Sequence, residues 1–159
     1  MTQPLLLDLF CGAGGAAKGY QQAGFYVIGV DIEPQPHYCG DEFCQVGALQ
    51  VLRNYEYWRQ EYVAIHASPP CQAFTAYRRT GEVKQGHPNF IGAVRPLLQA
   101  TGLPYVIENV PGAPLEDPTI LCGSMFKQLV DIRRHRLFET NWPLDPPGPC
   151  NHALGVLPA

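Results

Sequence analysis

The residues best suited to chemistry sit where apolar runs stop. The first is Cys71, in Ser68-Pro69-Pro70-Cys71-Gln72. Two consecutive prolines have no amide hydrogen and a fixed φ, so they present the thiol after them on a stiff support. Most free cysteines are small buried apolar residues. At the end of an apolar run, a nucleophile is the better reading, because sulfur adds and leaves at neutral pH where a serine alkoxide would not. The second is Glu108, which follows Tyr105-Val106-Ile107 and precedes Asn109-Val110-Pro111-Gly112. An acid there can neutralise charge that develops on a substrate, although glutamates are more often solvated. The third is Asp31, after Phe25-Tyr26-Val27-Ile28-Gly29-Val30. An acid at the end of a second strand can hold ribose hydroxyls, or else serve as a turn residue or helix cap. Finally, Arg133-Arg134-His135-Arg136 runs into Leu137-Phe138-Glu139-Thr140. Strand alternation sends Arg134 and Arg136 to one face, as a clamp for an anion or a carbonyl.

These groups need a scaffold that brings several strand ends to one rim. Pro4 to Phe10 contains Leu5-Leu6-Leu7 and reads as a buried parallel strand. Cys11-Gly12-Ala13-Gly14-Gly15 follows, then a helix over Ala16 to Ala23 that Gly24 stops. Strand, glycine-rich turn and helix together make a site for a nucleotide-like ligand, since a Cβ would block its approach to the backbone. Phe25 to Val30 is the second strand, 34–42 a loop, and Cys44-Gln45-Val46 a short third strand. Leu49, Leu52, Tyr55 and Trp58 have helical spacing across 48–60. Tyr62 to Ala67 is the strand leading to Cys71. The stretch 73–87 has no apolar period and carries Arg78, Arg79 and Lys84, so it reads as a long loop suited to a phosphate backbone, or simply as a solvated one. Phe90, Val94, Leu97 and Leu98 mark a helix over 89–100 that Gly102 ends, and Tyr105 to Ile107 is a further strand. The expected fold is α/β, a Rossmann-like sheet with flanking helices, with one domain over 1–140 and a Pro-rich tail over 141–159.

Composition agrees with such a domain. The chain has 159 residues, 46% apolar and only 16% charged, which is enough for one core. Sixteen prolines and sixteen glycines point to tight loops around a sheet. A net charge of −3 excludes a uniformly basic nucleic-acid coat, so any nucleic-acid contact must be local. Six cysteines lack the dense spacing of a disulfide scaffold. There is no signal-peptide pattern and no run long enough to span a bilayer, so the expectation is a cytoplasmic protein. His37, Cys39, Cys44, Cys150 and His152 fit no standard zinc spacing, and no metal is expected.

Several of these segments, in order, resemble the signature motifs of DNA cytosine-5 methyltransferases, and most closely the small phage-type members. They are Asp8-Leu9-Phe10-Cys11-Gly12-Ala13-Gly14-Gly15, Pro69-Pro70-Cys71-Gln72, Glu108-Asn109-Val110 and Arg134-His135-Arg136. The resemblance spans Leu5 to about Thr140. It implies S-adenosyl-L-methionine as cofactor, held by Phe10, Cys11, Gly12, Ala13, Gly14, Gly15, Asp31, Ile32 and Pro70. In that reading Phe10 and Ile32 meet the adenine, Gly12 and Gly14 pass the methionine part, and Asp31 holds the ribose. The resemblance also implies that Cys71 attacks C6 of a flipped cytosine while Glu108 bonds N3 and the exocyclic amine. Arg136, with Arg134 behind it, would hold the O2 side. Gln72, Arg78, Arg79, Lys84 and Asn109 would contact nucleic acid. The partner is DNA, with single-stranded DNA and RNA as alternatives, in a bacterial or phage-infected cell and in a restriction-modification setting.

Three departures from the family pattern matter. Gly47 stands where an acid usually reads the adenine amine. No large target-recognition domain follows Arg136. A final helical motif with an Asn is absent from 141–159. The sheet is therefore expected to be truncated at its C-terminal end relative to the family, and the chain to be a minimal enzyme, a truncated remnant, one half of an assembly that needs a partner chain or a second copy, or a catalytically silent AdoMet- or DNA-binding module.

Overall fold

A computed structural model describes residues 2–58, 62–71, 89–126, 132–152 and 157–158. Its centre is a seven-stranded sheet. Strand β1 (Leu5–Leu9) lies between β2 (Tyr26–Asp31) and β4 (Tyr62–Ala67), parallel to both. Strand β3 (Glu42–Gln45) extends the sheet beyond β2, and β5 (Tyr105–Asn109) extends it beyond β4, again in parallel. Strand β8 (His135–Thr140) then runs antiparallel to β5, and β6 (Thr119–Cys122) forms the far edge, antiparallel to β8. The order is β3-β2-β1-β4-β5-β8-β6, the doubly wound Rossmann-like arrangement with one reversed strand near its edge. A small separate pairing joins β7 (Ile132–Arg133) to β9 (Leu157–Pro158).

The central strands read as continuous apolar runs because both faces are covered. On one face Leu7, Leu9, Ile28, Val30, Ile65 and Ile107 pack under helix α2 (Ala48–Arg53) and helix α4 (Phe90–Thr101). On the other, Leu6 and Val27 pack under helix α1 (Gly15–Gln22) through Ala17. The helix ends follow local rules. The Asn89 side chain accepts the backbone N–H groups of Ile91 and Gly92, and Gly102 closes α4 at φ +70°. A bidentate pair, Arg95 Nε to Glu139 Oε1 at 2.7 Å and Nη2 to Oε2 at 2.8 Å, ties α4 to β8. Glu139 is buried, so loss of Arg95 would leave its charge uncompensated, at a cost of about 3–5 kcal/mol.

Three expectations shift. The helix over 48–60 is broken into α2 and a short α3 (Tyr55–Trp58) at Asn54, whose side-chain amide donates back to the Gln50 carbonyl at 2.8 Å. The basic strand is interrupted at Arg134, between β7 and β8. Glu108 lies within β5, opposite Phe138, and not beyond the strand end. No helix among the described residues is long and apolar enough to cross a membrane.

Candidate active site

Strand order reverses between β1 and β4, and ligands of open α/β sheets bind outside the carboxyl ends at such a point. Both signature turns are there. Residues 10–14 leave β1 and residues 68–71 leave β4, and Ser68 N donates to Leu9 O at 3.1 Å to join the two exits.

The glycine-rich turn is tight. Phe10 has φ +57°, an uncommon value for a residue with a side chain, and its ring lies 5.8 Å from that of Phe90, the first residue of α4. Asp31 turns toward this turn: Oδ2 accepts Gly12 N at 3.0 Å and Oδ1 accepts Glu33 N at 3.0 Å. Gly12, at φ +49°, has nothing within 4 Å of where a Cβ would stand, so its backbone faces open space. Ile32 is 68% exposed and presents an apolar surface beside Asp31. Cys11 is the opposite kind of thiol from a nucleophile. Burial, then the nearby Asp8 and Asp31 carboxylates, push it up to about 12.

Glu108, Arg134 and Arg136 line one cleft of about 860 Å³. Arg136 Nε meets Glu108 Oε1 at 2.8 Å. Burial raises the Glu108 carboxyl above its ordinary range, against the Ser68 hydroxyl and the Arg134 charge, which pull it down. The two arginines do face one site, although the strand between them is broken.

Behind Glu108 lies a chain of groups that the sequence reading missed. Tyr20 OH is 2.9 Å from His66 Nδ1, and His66 Nε2 is 2.8 Å from Ser68 Oγ. His66 is fully enclosed and burial lowers it to about 4, so it is neutral at pH 7 and one ring nitrogen donates while the other accepts. Its only sequence signal was a histidine within an apolar strand, and its partner Tyr20 lies on a different element.

Asn109 is corrected. It was expected to contact nucleic acid, but it is buried. Its Nδ2 donates to the Pro69 carbonyl at 2.9 Å, and its Oδ1 accepts Val110 N at 2.9 Å. The residue beside Glu108 thus anchors the loop that carries Cys71. Pro69 is buried, Pro70 exposed and Cys71 half-buried. Gln72, Arg78, Arg79 and Lys84 lie outside the described residues.

Fold and rim together define a Rossmann-like α/β domain with a cleft at the carboxyl ends of its strands. No family model matches the chain. Among curated proteins it is similar to the type II methyltransferase M1.HphI of Haemophilus parahaemolyticus, 30% identical over 120 residues, which is 65% of this chain and 32% of that protein. It is also similar to M.AgeI of Thalassovita gelatinovora, 28% identical over 121 residues, 67% of this chain and 28% of that protein. The chain therefore spans about a third of the length of these relatives. In fold it is similar to Spodoptera frugiperda DNMT2, with a TM-score of 0.58 and 20% identity over 89% of this chain and 52% of that one.

Proposed function

We propose that the chain transfers a methyl group from S-adenosyl-L-methionine (AdoMet) to carbon 5 of cytosine in DNA. The observation that carries this reading is the Glu108–Arg136 pair at 2.8 Å, set beside a Pro-Pro-Cys loop that Asn109 anchors. A carboxyl, a guanidinium and a thiol on one rim suit a pyrimidine turned out of its strand.

The turn after β1 fits the cofactor: open space over the Gly12 backbone, the Asp31 carboxylate within hydrogen-bond reach of the turn, and an exposed Ile32 for a flat ring. Phe10 to Gly15, Asp31, Ile32 and Pro70 would hold it. Bound AdoMet supplies an electrophilic methyl group. The Cys71 thiolate adds its electron pair to C6, and the C5–C6 π electrons make C5 the nucleophile. Glu108 bonds N3 and the exocyclic amine as charge builds on the ring, and Arg136 aims the carboxyl. C5 takes the methyl group with S-adenosyl-L-homocysteine as the leaving group, and a base then removes the C5 proton, which restores the C5–C6 double bond and expels the Cys71 thiolate.

The test is incubation with AdoMet and duplex DNA, single-stranded DNA or RNA, followed by nucleoside mass spectrometry. 5-Methylcytosine in DNA is expected. Methylation of RNA alone would move the substrate assignment, and 5-methylcytosine in none of the three would sink the catalytic reading and favour a binding module.

Gly47 gives a separate check on the cofactor side. It is the N-cap of α2, at φ −72° and ψ 131°, and has no side chain to cap that helix. A Cβ there would meet nothing within 4 Å, so Gly47→Asp is sterically free. It should cap α2, worth only about a few tenths of a kcal/mol over glycine, and offer the adenine amine an acceptor. A charge-assisted bond of about 1.5–3 kcal/mol corresponds to roughly tenfold or more in affinity. Calorimetry with AdoMet should show that gain; unchanged affinity in a stabilised variant would mean that residue 47 does not face the adenine.

A further inference from the structure

We propose that Cys122, His135, Cys150 and His152 bind a zinc ion that fastens the C-terminal segment to the edge of the sheet. Their four ligand atoms all lie within 4.8 Å of one another. Cys122 Sγ is 3.4 Å from His152 Nε2, and Cys150 Sγ is 3.3 Å from His135 Nε2. Tetrahedral zinc, with bonds of about 2.3 Å to sulfur and 2.0 Å to nitrogen, sets neighbouring sulfur and nitrogen ligands about 3.5 Å apart. Cys150 Sγ and His152 Nε2 are closer, at 2.7 Å, and a small rotation of either side chain opens that edge.

The backbone explains why the four converge. Cys122 and His135 are direct cross-strand partners in the β6–β8 ladder, so their side chains leave the same face. Cys150 and His152 are two residues apart in an irregular segment that brings Cys150 Sγ within 2.7 Å of His152 Nε2. Each pair supplies one sulfur and one imidazole. Two thiolates neutralise a divalent ion, and a Cys₂His₂ set leaves no open position, which marks a structural and not a catalytic site. An outer contact is also in place. Buried Ser124 donates to Cys122 Sγ at 3.2 Å and lies 3.4 Å from Cys150 Sγ, while Asn151 N donates to Ser124 Oγ at 3.2 Å. The site is separate from the proposed chemistry but adjoins it, because His135 immediately precedes Arg136, the partner of Glu108.

The sequence concealed this site. Cys150 and His152 stood out, but their partners are distant in the chain, and the spacing of 122, 135, 150 and 152 matches no common zinc motif.

The test uses the full chain, purified under reducing conditions and passed over a chelating resin. Elemental analysis should find one zinc per chain. Cobalt(II) added to metal-stripped protein should give the thiolate charge-transfer band and the intense visible bands of a tetrahedral sulfur–nitrogen site. Cys150→Ser and His152→Ala, both at exposed positions, should each lower zinc content roughly tenfold and lose the cobalt spectrum, while Cys39→Ser should retain both. Three results would overturn the proposal: wild-type protein with neither zinc nor a cobalt signal, full zinc in the Cys150→Ser/His152→Ala double variant, or a Cys122–Cys150 disulfide in protein handled without oxygen. The wild-type cobalt titration decides the matter even if a variant fails to fold.

Discussion

Cys71→Ser is expected to abolish methyl transfer, by about three orders of magnitude or more, as removal of a covalent nucleophile does. The hydroxyl occupies the space of the thiol but is hardly ionised at neutral pH, so C6 receives no electron pair and C5 stays unreactive. The fold should be untouched. Cys71 is half-buried, and the loop before it is held by Asn109 through the Pro69 carbonyl. Circular dichroism and AdoMet affinity should therefore match the wild type. Wild-type turnover in Cys71→Ser would end the covalent mechanism.

The second large effect concerns Asp8, which is buried in β1 with neither carboxyl oxygen hydrogen-bonded among the described residues. Burial, and then the Asp31 charge, raise it from 3.8 to about 7. The folded value lies above the unfolded one, so between about pH 4 and 7 the native chain binds more protons than the unfolded chain. Stability from this group is full below about pH 4 and is lost as pH rises to about 7. At about 1.4 kcal/mol per unit, the total is on the order of 2–4 kcal/mol. His66 acts in the opposite sense: its folded value of about 4 makes stability fall as pH drops below its ordinary 6.5. The difference between wild type and Asp8→Asn isolates the aspartate. Denaturation at pH 5 and pH 8 should show the variant gaining relative to wild type at the higher pH. A constant difference would mean that Asp8 is ionised throughout and has found a counter-charge.

What the sequence disclosed was local. Tyr62 to Ala67 is bounded by its own apolar run and by the prolines after Ser68, and β4 begins and ends there. Gly24 and Gly102 stop α1 and α4 because both lie at positive φ. Asp31, Cys71 and Glu108 were visible because each ends or nearly ends an apolar run. What stayed hidden depends on contacts distant in the chain. Asn109 looks like a surface contact until Pro69, 40 residues earlier, is placed against it. His66 looks like a strand residue until Tyr20 and Ser68 meet its two nitrogens. The Pro-rich end looks like a loose tail, yet Thr119 donates to the Leu144 carbonyl, and Asn141 bridges Leu103 and Tyr105.

The Asn109–Pro69 bond also bears on the entropy of activation. Pro69 and Pro70 have little torsional freedom, and a buried amide already fixes the carbonyl of the first. Glu108 is one residue from that anchor and Cys71 is two residues from it on the other side. The chain therefore orders this pair when it folds, and little rotational freedom is left to lose when a substrate arrives. On the proposed mechanism, a loop backbone fixed in advance lowers the entropy still to be lost when a substrate is positioned. The placement of the two groups belongs to the parallel strands β4 and β5 and to the amide that joins their ends.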